Sequence, residues 1–337
     1  MKNSTRSKLL IVLFGMVLAS ACLEAVTIKV ATVAPRGTSF HNFLEELNAQ
    51  WASAPEEPVR MNIYAGTQGG EVAIVKRMRI NQLQGAMLSA IGLAQIDESV
   101  TALQLMPMAF RNWEEVDFVR SALMENLESL FLGKGYVVLF WGDAGWARFF
   151  SKKPIAHIED LKSMRVGASL GTPKATELLK NYYTPVTLDS SKTLLALKNG
   201  MIEAVPAPPF LANATQLAPE TGFMLDLKWV PVVGAMVLTK RTWDRLPQKT
   251  QAYLKQTSVE MGKRVRQASR KEDEESIQAM VEKQGLVINT LTDEQRASWR
   301  KEVDLNQSNI RGEIVPEDVY DIVMRKLREF RNEGSAQ

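Results

Sequence analysis

The sequence predicts an α/β fold, and three observations lead to that prediction. Apolar, β-rich runs alternate with helical patterns along most of the chain. The composition is 45% hydrophobic and 23% charged, which is typical of a globular domain. Once the first 25 residues are set aside, about 310 of the 337 residues remain, enough for two lobes of ordinary domain size.

The first elements are well marked by their residue patterns. Thr27–Val33 reads as a strand that ends before Pro35 and Gly37. The next segment, Ser39–Trp51, carries apolar residues at helical spacing, and Val59–Tyr64 reads as a second strand. Further buried strands are predicted at Gln84–Ile91, Tyr136–Trp141 and Met164–Ala168.

The character of the chain changes at Thr242, where a mostly helical tail begins. Within this tail, Arg264 to Glu282 is densely charged, and opposite charges recur at helical spacing. This pattern predicts a solvated helix face.

The N-terminus has the pattern of a secretory signal peptide over residues 1–25. Lys2, Arg6 and Lys8 precede the apolar run LLIVLFGMVL and a stretch of small residues. Ten apolar residues are too few to span a bilayer as a mature helix. The protein is therefore expected to leave the cytoplasm. Removing the three basic residues brings the formal charge of +3 to zero (3 − 3 = 0).

Cys22 is the single cysteine of the chain, and it directly follows the small residues of the signal. That placement predicts a lipoprotein cleavage site, in which acyl chains on Cys22 would hold the protein at a membrane. The alternative is ordinary cleavage after Ala21 or Ala25, which would remove the cysteine or leave it unmodified. In either case no disulfide can form.

The sequence nominates no catalytic residue, metal site or cofactor. Its two histidines, His41 and His157, have no ligand partner at useful spacing. No nucleophile elbow, P-loop or dinucleotide fingerprint occurs. The near-neutral charge offers no concentrated positive patch for nucleic acid. We therefore predict a binding protein that performs no chemistry of its own.

The chain resembles the DctP-type solute-binding proteins of tripartite ATP-independent periplasmic (TRAP) transporters. The similar segments follow one another in family order from about residue 27 to 300, which makes the resemblance specific. They are Tyr64–Glu71, Leu105–Arg111 with Glu114 and Glu115, Lys153–Ile155, Glu159–Lys162, Leu195–Ala204 and Leu238–Pro247.

The resemblance implies two hinged α/β lobes, as in periplasmic binding proteins, with crossing strands and a long spanning helix. Lobe I is expected to comprise residues 26–144 and 233–272, and lobe II residues 145–232 and 273–330. It also implies a periplasmic protein that passes a small molecule to TRAP membrane permease subunits. A TPR-type helper protein is a further expected partner.

The residues that hold carboxylates in the resembling proteins are absent here. Family arginines align with Gly167 and Ala147, and the polar "ENP" positions align with Pro206 and Ala207. An aromatic that covers the ligand aligns with Ser190. Because an arginine fork is what binds a carboxylate in two places, these departures predict a hydrophobic or amphipathic ligand.

Ten residues form the candidate ligand-binding set, and two other functions stay open. Arg148 or Arg165 would serve as a replacement anchor if the ligand were an organic acid. Alternatively, the fold would be reused as a ligand sensor or protein-interaction module. The set consists of Phe40, Ser89, Trp146, Arg148, Arg165, Gly167, Ser190, Pro206, Ala207 and Phe210.

Overall fold

The structure is a computed structural model that describes residues 25–169 and 173–334. Cys22 and nearly all of the predicted signal peptide lie outside the described residues. The strands are β1 (Val26–Thr32), β2 (Val59–Ala65), β3 (Gly85–Ser89), β4 (Tyr136–Ser151), β5 (Arg165–Ser169), β6 (Thr184–Leu188), β7 (Ala204–Ala207), β8 (Phe223–Leu225), β9 (Val230–Thr239) and β10 (Val287–Asn289).

Helices connect and cover these strands, which confirms the α/β class. The α-helices are α1 (Ser39–Trp51), α2 (Glu71–Arg79), α3 (Ala90–Leu93), α4 (Trp113–Gly133), α5 (Ile158–Lys162), α6 (Pro173–Leu179), α7 (Thr193–Lys198), α8 (Pro209–Ala214), α9 (Ala218–Thr221), α10 (Lys240–Trp243), α11 (Gln248–Gln284), α12 (Asp293–Leu305) and α13 (Glu317–Gly334). Short 3₁₀ turns are η1 (Glu98–Leu103), η2 (Ser190–Lys192) and η3 (Gln307–Asn309).

The strands follow the order β2-β1-β3-β9-β4-β7-β5-β6, with β8 and β10 attached beside β4. Strands β1, β2 and β3 are parallel, as are β5, β6 and β7, because helical crossovers connect them. Strand β9 is antiparallel to both β3 and β4. The two parallel groups therefore form the sheets of two lobes, joined through β9 and β4.

Strand β4 passes from one lobe to the other. Its first part, Tyr136 to Ala147, pairs with β9, and Arg148 to Ser151 pairs with β7. The β4–β9 register shifts between Asp143 and Trp146. An irregularity of this kind bends a strand and increases its twist, and here it lies where β4 leaves one sheet for the other.

Helix α11 is the long spanning helix. With 37 residues it is about 55 Å long at 1.5 Å per residue, and it packs against α1, β4 and α8. Its buried seam includes Leu254, Met261, Val265 and Met280. The predicted solvated face of this helix needs one correction, since Asp273 is 2% exposed and meets an ion partner in β4.

The predicted residue ranges of the two lobes stay a prediction. The sheets change partner at Ala147 and Arg148, close to the expected boundary at residue 145. Helix α13, which the sequence assigned to lobe II, packs against α4 and η1. In the part of the chain that the structure describes, no helix is long and apolar enough to cross a membrane.

Candidate functional site

A cavity of about 860 Å³ lies between the two lobes. Lobe I contributes the end of β1, the N-terminus of α2 and the end of β3. Lobe II contributes β7, η2 and the start of α8, and the crossing strands β4 and β9 form the floor. Apolar lining residues include Val33, Met87, Leu105, Phe140, Ala147, Leu178, Leu179, Leu194, Val205, Leu217, Trp229, Val230 and Val233.

Six of the ten predicted binding residues line this cavity, namely Phe40, Ser89, Ser190, Pro206, Ala207 and Phe210. Phe40 is held by α1 and Phe210 by α8, and their ring centroids are 4.9 Å apart. Both rings are nearly buried. The two lobes thus meet at an aromatic pair that forms part of the cavity wall.

The two candidate arginine anchors do not line the cavity. Arg148 is 3% exposed, and its guanidinium lies 3.3 Å from Asp273, 3.6 Å from Glu274 and 3.7 Å from Asp226. Arg165 is exposed, and it donates hydrogen bonds to the carbonyl oxygens of Gly200 and Met201. Both guanidinium groups are therefore engaged elsewhere in the fold.

Trp146 and Gly167 are also absent from the lining. Trp146 packs against Trp113, with ring centroids 4.9 Å apart. A Cβ at position 167 would lie 2.8 Å from Ile202 Cδ1, in the core of lobe II. Successive residues of a strand point to opposite faces, and it is Ala168 that reaches the cavity.

The acidic residues that line the cavity are already bonded to the protein. Asp143 is buried and pairs with Arg120 and Arg270. Glu71 accepts hydrogen bonds from the Ser89 amide, the Ser89 hydroxyl and the Gly92 amide, at 2.6, 2.6 and 2.9 Å. Burial nevertheless raises the pKa of Glu71 above its ordinary value, because the three hydrogen bonds only partly offset desolvation.

Two basic residues, Arg36 and Lys76, complete the charged lining, and both are exposed. Since both side chains are exposed, neither is a buried cation of the kind that would hold a desolvated carboxylate. The third acidic residue, Asp189, accepts from Ser191 and Gly70. The interior is therefore apolar, with few polar groups left to meet a ligand.

Gln104 is a polar residue of the cavity that sequence analysis missed. It is 4% exposed, and its Oε1 accepts from the Val233 amide at 3.2 Å. Within the described residues its amide nitrogen has no acceptor, so it is available to a ligand oxygen. Gln104 follows a 3₁₀ turn, where neither helical nor strand periodicity indicates which side chains face inward.

Asp273 lies behind the cavity floor and is expected to make stability depend on pH. Burial raises its pKa to about 6, despite Arg148 and the amides of Trp146 and Phe210, and Glu274 adds to the rise. Because the folded pKa exceeds the unfolded one, this contribution to stability is complete below pH 3.8 and is lost as pH rises through 6.

We expect the stability of the wild type, relative to Asp273→Asn, to fall by about 2 kcal/mol between pH 4 and pH 8. Urea unfolding of both proteins at the two pH values measures this difference. The nearby Arg148, Asp226 and Glu274 are present in both proteins, so the comparison reports on the Asp273 carboxyl. A difference that rises with pH would contradict the assignment.

Among residues 25–169 and 173–334, no three His, Cys, Asp or Glu side chains are grouped so as to hold a metal ion.

The chain matches a known protein family, and its architecture is similar to that of solved structures. The family model described as bacterial extracellular solute-binding protein, family 7 (DctP) matches residues 30–309. The sugar acid binding protein DctPAm from Advenella mimigardefordensis, in complex with galactonate, superposes with a TM-score of 0.84 at 12% identity. The match covers 91% of this chain and 99% of that one.

Two further structures show the same fold. A TRAP periplasmic solute binding protein from Shewanella oneidensis with bound succinate has a TM-score of 0.81 and 15% identity, over 90% of this chain and 99% of that one. DctP7, a Bordetella pertussis extracytoplasmic solute receptor binding pyroglutamic acid, has a TM-score of 0.82 and 15% identity, over 90% and 100%.

Proposed function

We propose that this chain, which belongs to the bacterial extracellular solute-binding proteins of family 7, captures a hydrophobic or amphipathic molecule between its two lobes. Members of this family are substrate-binding proteins and not enzymes. One observation carries the proposed ligand class. The interior of the cavity is apolar, its acids are bonded to the protein, and its two basic residues lie at exposed positions.

The ligands of the similar solved structures differ in chemical class from the ligand proposed for this chain. The matched structures hold galactonate, succinate and pyroglutamic acid, which are compact and carry a carboxylate. Burying a carboxylate without a cation or several donors is costly. Since Arg148 and Arg165 are engaged outside this cavity, neither supports the organic-acid alternative.

An apolar ligand has a sufficient source of affinity in such a cavity. Burial of about 200 Å² of ligand surface contributes about 5 kcal/mol, before the entropy of association is subtracted. The amide nitrogen of Gln104 gives such a ligand one buried donor that would orient a carbonyl or hydroxyl oxygen. A mostly apolar site with a few placed polar groups is the usual form of a small-molecule pocket.

We further propose that the protein acts in the periplasm and delivers its ligand to the membrane permease subunits of a TRAP transporter. The family assignment supports this role. Acylation of Cys22 would tether the protein to a membrane facing the periplasm. A TPR-type helper stays a prediction of the sequence.

A thermal-shift comparison on residues 26–337, refolded free of carried-over ligand, tests the ligand class. Decan-1-ol and dodecan-1-ol represent apolar ligands that carry no carboxylate, and succinate and galactonate represent organic acids. A ligand that binds only the native state at one hundred times its Kd stabilises it by about 2.7 kcal/mol. We expect stabilisation by the apolar probes and none by the small acids.

Two variants tie that stabilisation to the cavity. Phe210→Ala removes a ring from the cavity wall and is expected to weaken the response to apolar probes, relative to its own ligand-free baseline. Leu132→Ala removes an apolar side chain that is 47% exposed on α4, and it should leave the response unchanged. Stabilisation by succinate or galactonate would contradict the proposed ligand class.

A further inference from the structure

Asp189 and Gly70 form a hydrogen bond that connects the two lobes across the cavity. The Gly70 amide donates to Asp189 Oδ2 at 2.9 Å. Gly70 is the N-cap of α2 in lobe I, and Asp189 precedes η2 beside β6 in lobe II. Both residues line the cavity. The contact therefore joins the two lobes in the arrangement that the structure describes.

Asp189 supplies a carboxylate at the N-terminus of helix α2. Gly70 has no side chain with which to cap its own helix. The acid of the first turn, Glu71, is directed to Ser89 and Gly92 instead. The positive N-terminal end of α2 is therefore left for a carboxylate from elsewhere, and Asp189 occupies it.

The absence of a Cβ at position 70 is what permits this approach. A Cβ there would lie 2.9 Å from Asp189 Oδ2 and 3.2 Å from its Cγ. The backbone itself does not require glycine, because Gly70 has φ −72° and ψ 172°, which any L-residue adopts. Glycine at this position is explained by the close carboxylate.

Asp189 is also held in place within its own lobe. Its Oδ1 accepts from the amide and the hydroxyl of Ser191 at 3.0 and 2.7 Å. Burial alone would raise its pKa, but the hydrogen bonds from Ser191 and Gly70, with Lys192 nearby, lower the pKa overall. The group is therefore an oriented carboxylate at neutral pH.

We propose that Asp189 and Gly70 form a latch that holds the lobes closed over the cavity. Asp189 acts as a positioning residue. Its hydrogen bond to Gly70 holds lobe I against lobe II and so keeps the cavity closed over a bound molecule. The inference rests on the proposed function only in taking the cavity as the ligand site. The contact itself is independent of which ligand is bound.

The distance between the lobes in the ligand-free protein tests the latch. Spin labels at Arg77→Cys and Thr187→Cys, both exposed positions in opposite lobes, report closure by double electron–electron resonance in residues 26–337. We expect a closed population in the otherwise wild-type protein. Gly70→Ala should reduce the ratio of closed to open protein at least about tenfold, as befits loss of a charge-assisted hydrogen bond.

Two further variants separate the latch from general effects. Asp189→Asn keeps the shape and an acceptor oxygen but removes the charge, so it should reduce closure less than Gly70→Ala does. Gly133→Ala adds a Cβ with no atom within 4 Å and should leave the distances unchanged. The proposal is overturned if the labelled parent shows no closed population, or if Gly70→Ala closes as well as Gly133→Ala. No ligand is added in this experiment, so its result can be interpreted even if the cavity does not bind apolar molecules.

Discussion

Replacement of Arg148 by methionine is expected to lower the free energy of unfolding by about 3–5 kcal/mol at pH 7–8. Arg148 is 3% exposed and Asp273 is 2% exposed, and their charged atoms lie 3.3 Å apart. Without the guanidinium, Asp273 must remain charged without its cation or take up a proton against the solution pH. Equilibrium unfolding in urea measures the loss.

Arg165→Met is the matched control, because it makes the same substitution at an exposed arginine. The Arg165 side chain is 52% exposed, and its pair with Glu203 spans 3.4 Å, so the loss should stay within about 1 kcal/mol. The double variant Arg148→Met/Asp273→Leu should regain much of the stability, since no buried charge is left unpaired. Equal losses for the two single variants would contradict a structural role for Arg148.

Local sequence patterns were sufficient to predict much of the fold. The helix predicted at Ser39–Trp51 has those bounds in the structure, and the predicted strand Val59–Tyr64 ends one residue later, at Ala65. These elements bury one face of a regular period, so their own residues determine them. The two-lobed architecture was predicted from the family resemblance of segments that follow one another in order. Periodicity alone does not specify how many lobes the elements form.

Strand β4 shows where local patterns were insufficient. The sequence predicted a strand over Tyr136–Trp141, whereas β4 continues to Ser151. Gly142 and Gly145 resemble a strand end, because glycine usually interrupts strands. In the structure the strand continues through a register shift, and its backbone there is supported by Asp273 from α11. Asp273 lies more than 120 positions further along the chain, so the residues around Gly145 do not indicate this support.

Predicting which residues line the cavity requires knowing the direction of each side chain, and one sequence does not contain that information. Alignment placed a family arginine at Gly167, but the neighbouring Ala168 faces the cavity. A shift of one residue reverses the face of a strand, so the expected polar contact could not be located to better than one position. Of the positions that the same alignment matched to polar residues of the family, Ala147, Pro206 and Ala207 do line the cavity, and their part in ligand binding stays a prediction.

Gly145→Ala is expected to cost about 2–5 kcal/mol, because a backbone penalty and an overpacking penalty coincide at that position. Gly145 has φ +93°, a conformation that costs an L-residue roughly 1–2 kcal/mol. A Cβ there would also lie 2.8 Å from Asp273 Oδ2 and closer still to Oδ1. The carboxylate has little room to move, since Oδ2 also accepts from the Trp146 amide at 3.2 Å and pairs with Arg148.

Gly135→Ala separates the two penalties. Gly135 has φ +87°, but a Cβ there would meet no atom within 4 Å, so its loss should be limited to the backbone term of roughly 1–2 kcal/mol. Combining Gly145→Ala with Asp273→Ala removes the obstructing carboxylate, and its cost on the Asp273→Ala background should approach that of Gly135→Ala. Urea unfolding of the single and double variants gives each step. A cost for Gly145→Ala no larger than for Gly135→Ala would mean that Asp273 moves aside freely, and the carboxylate would then not hold the bend of β4 in place.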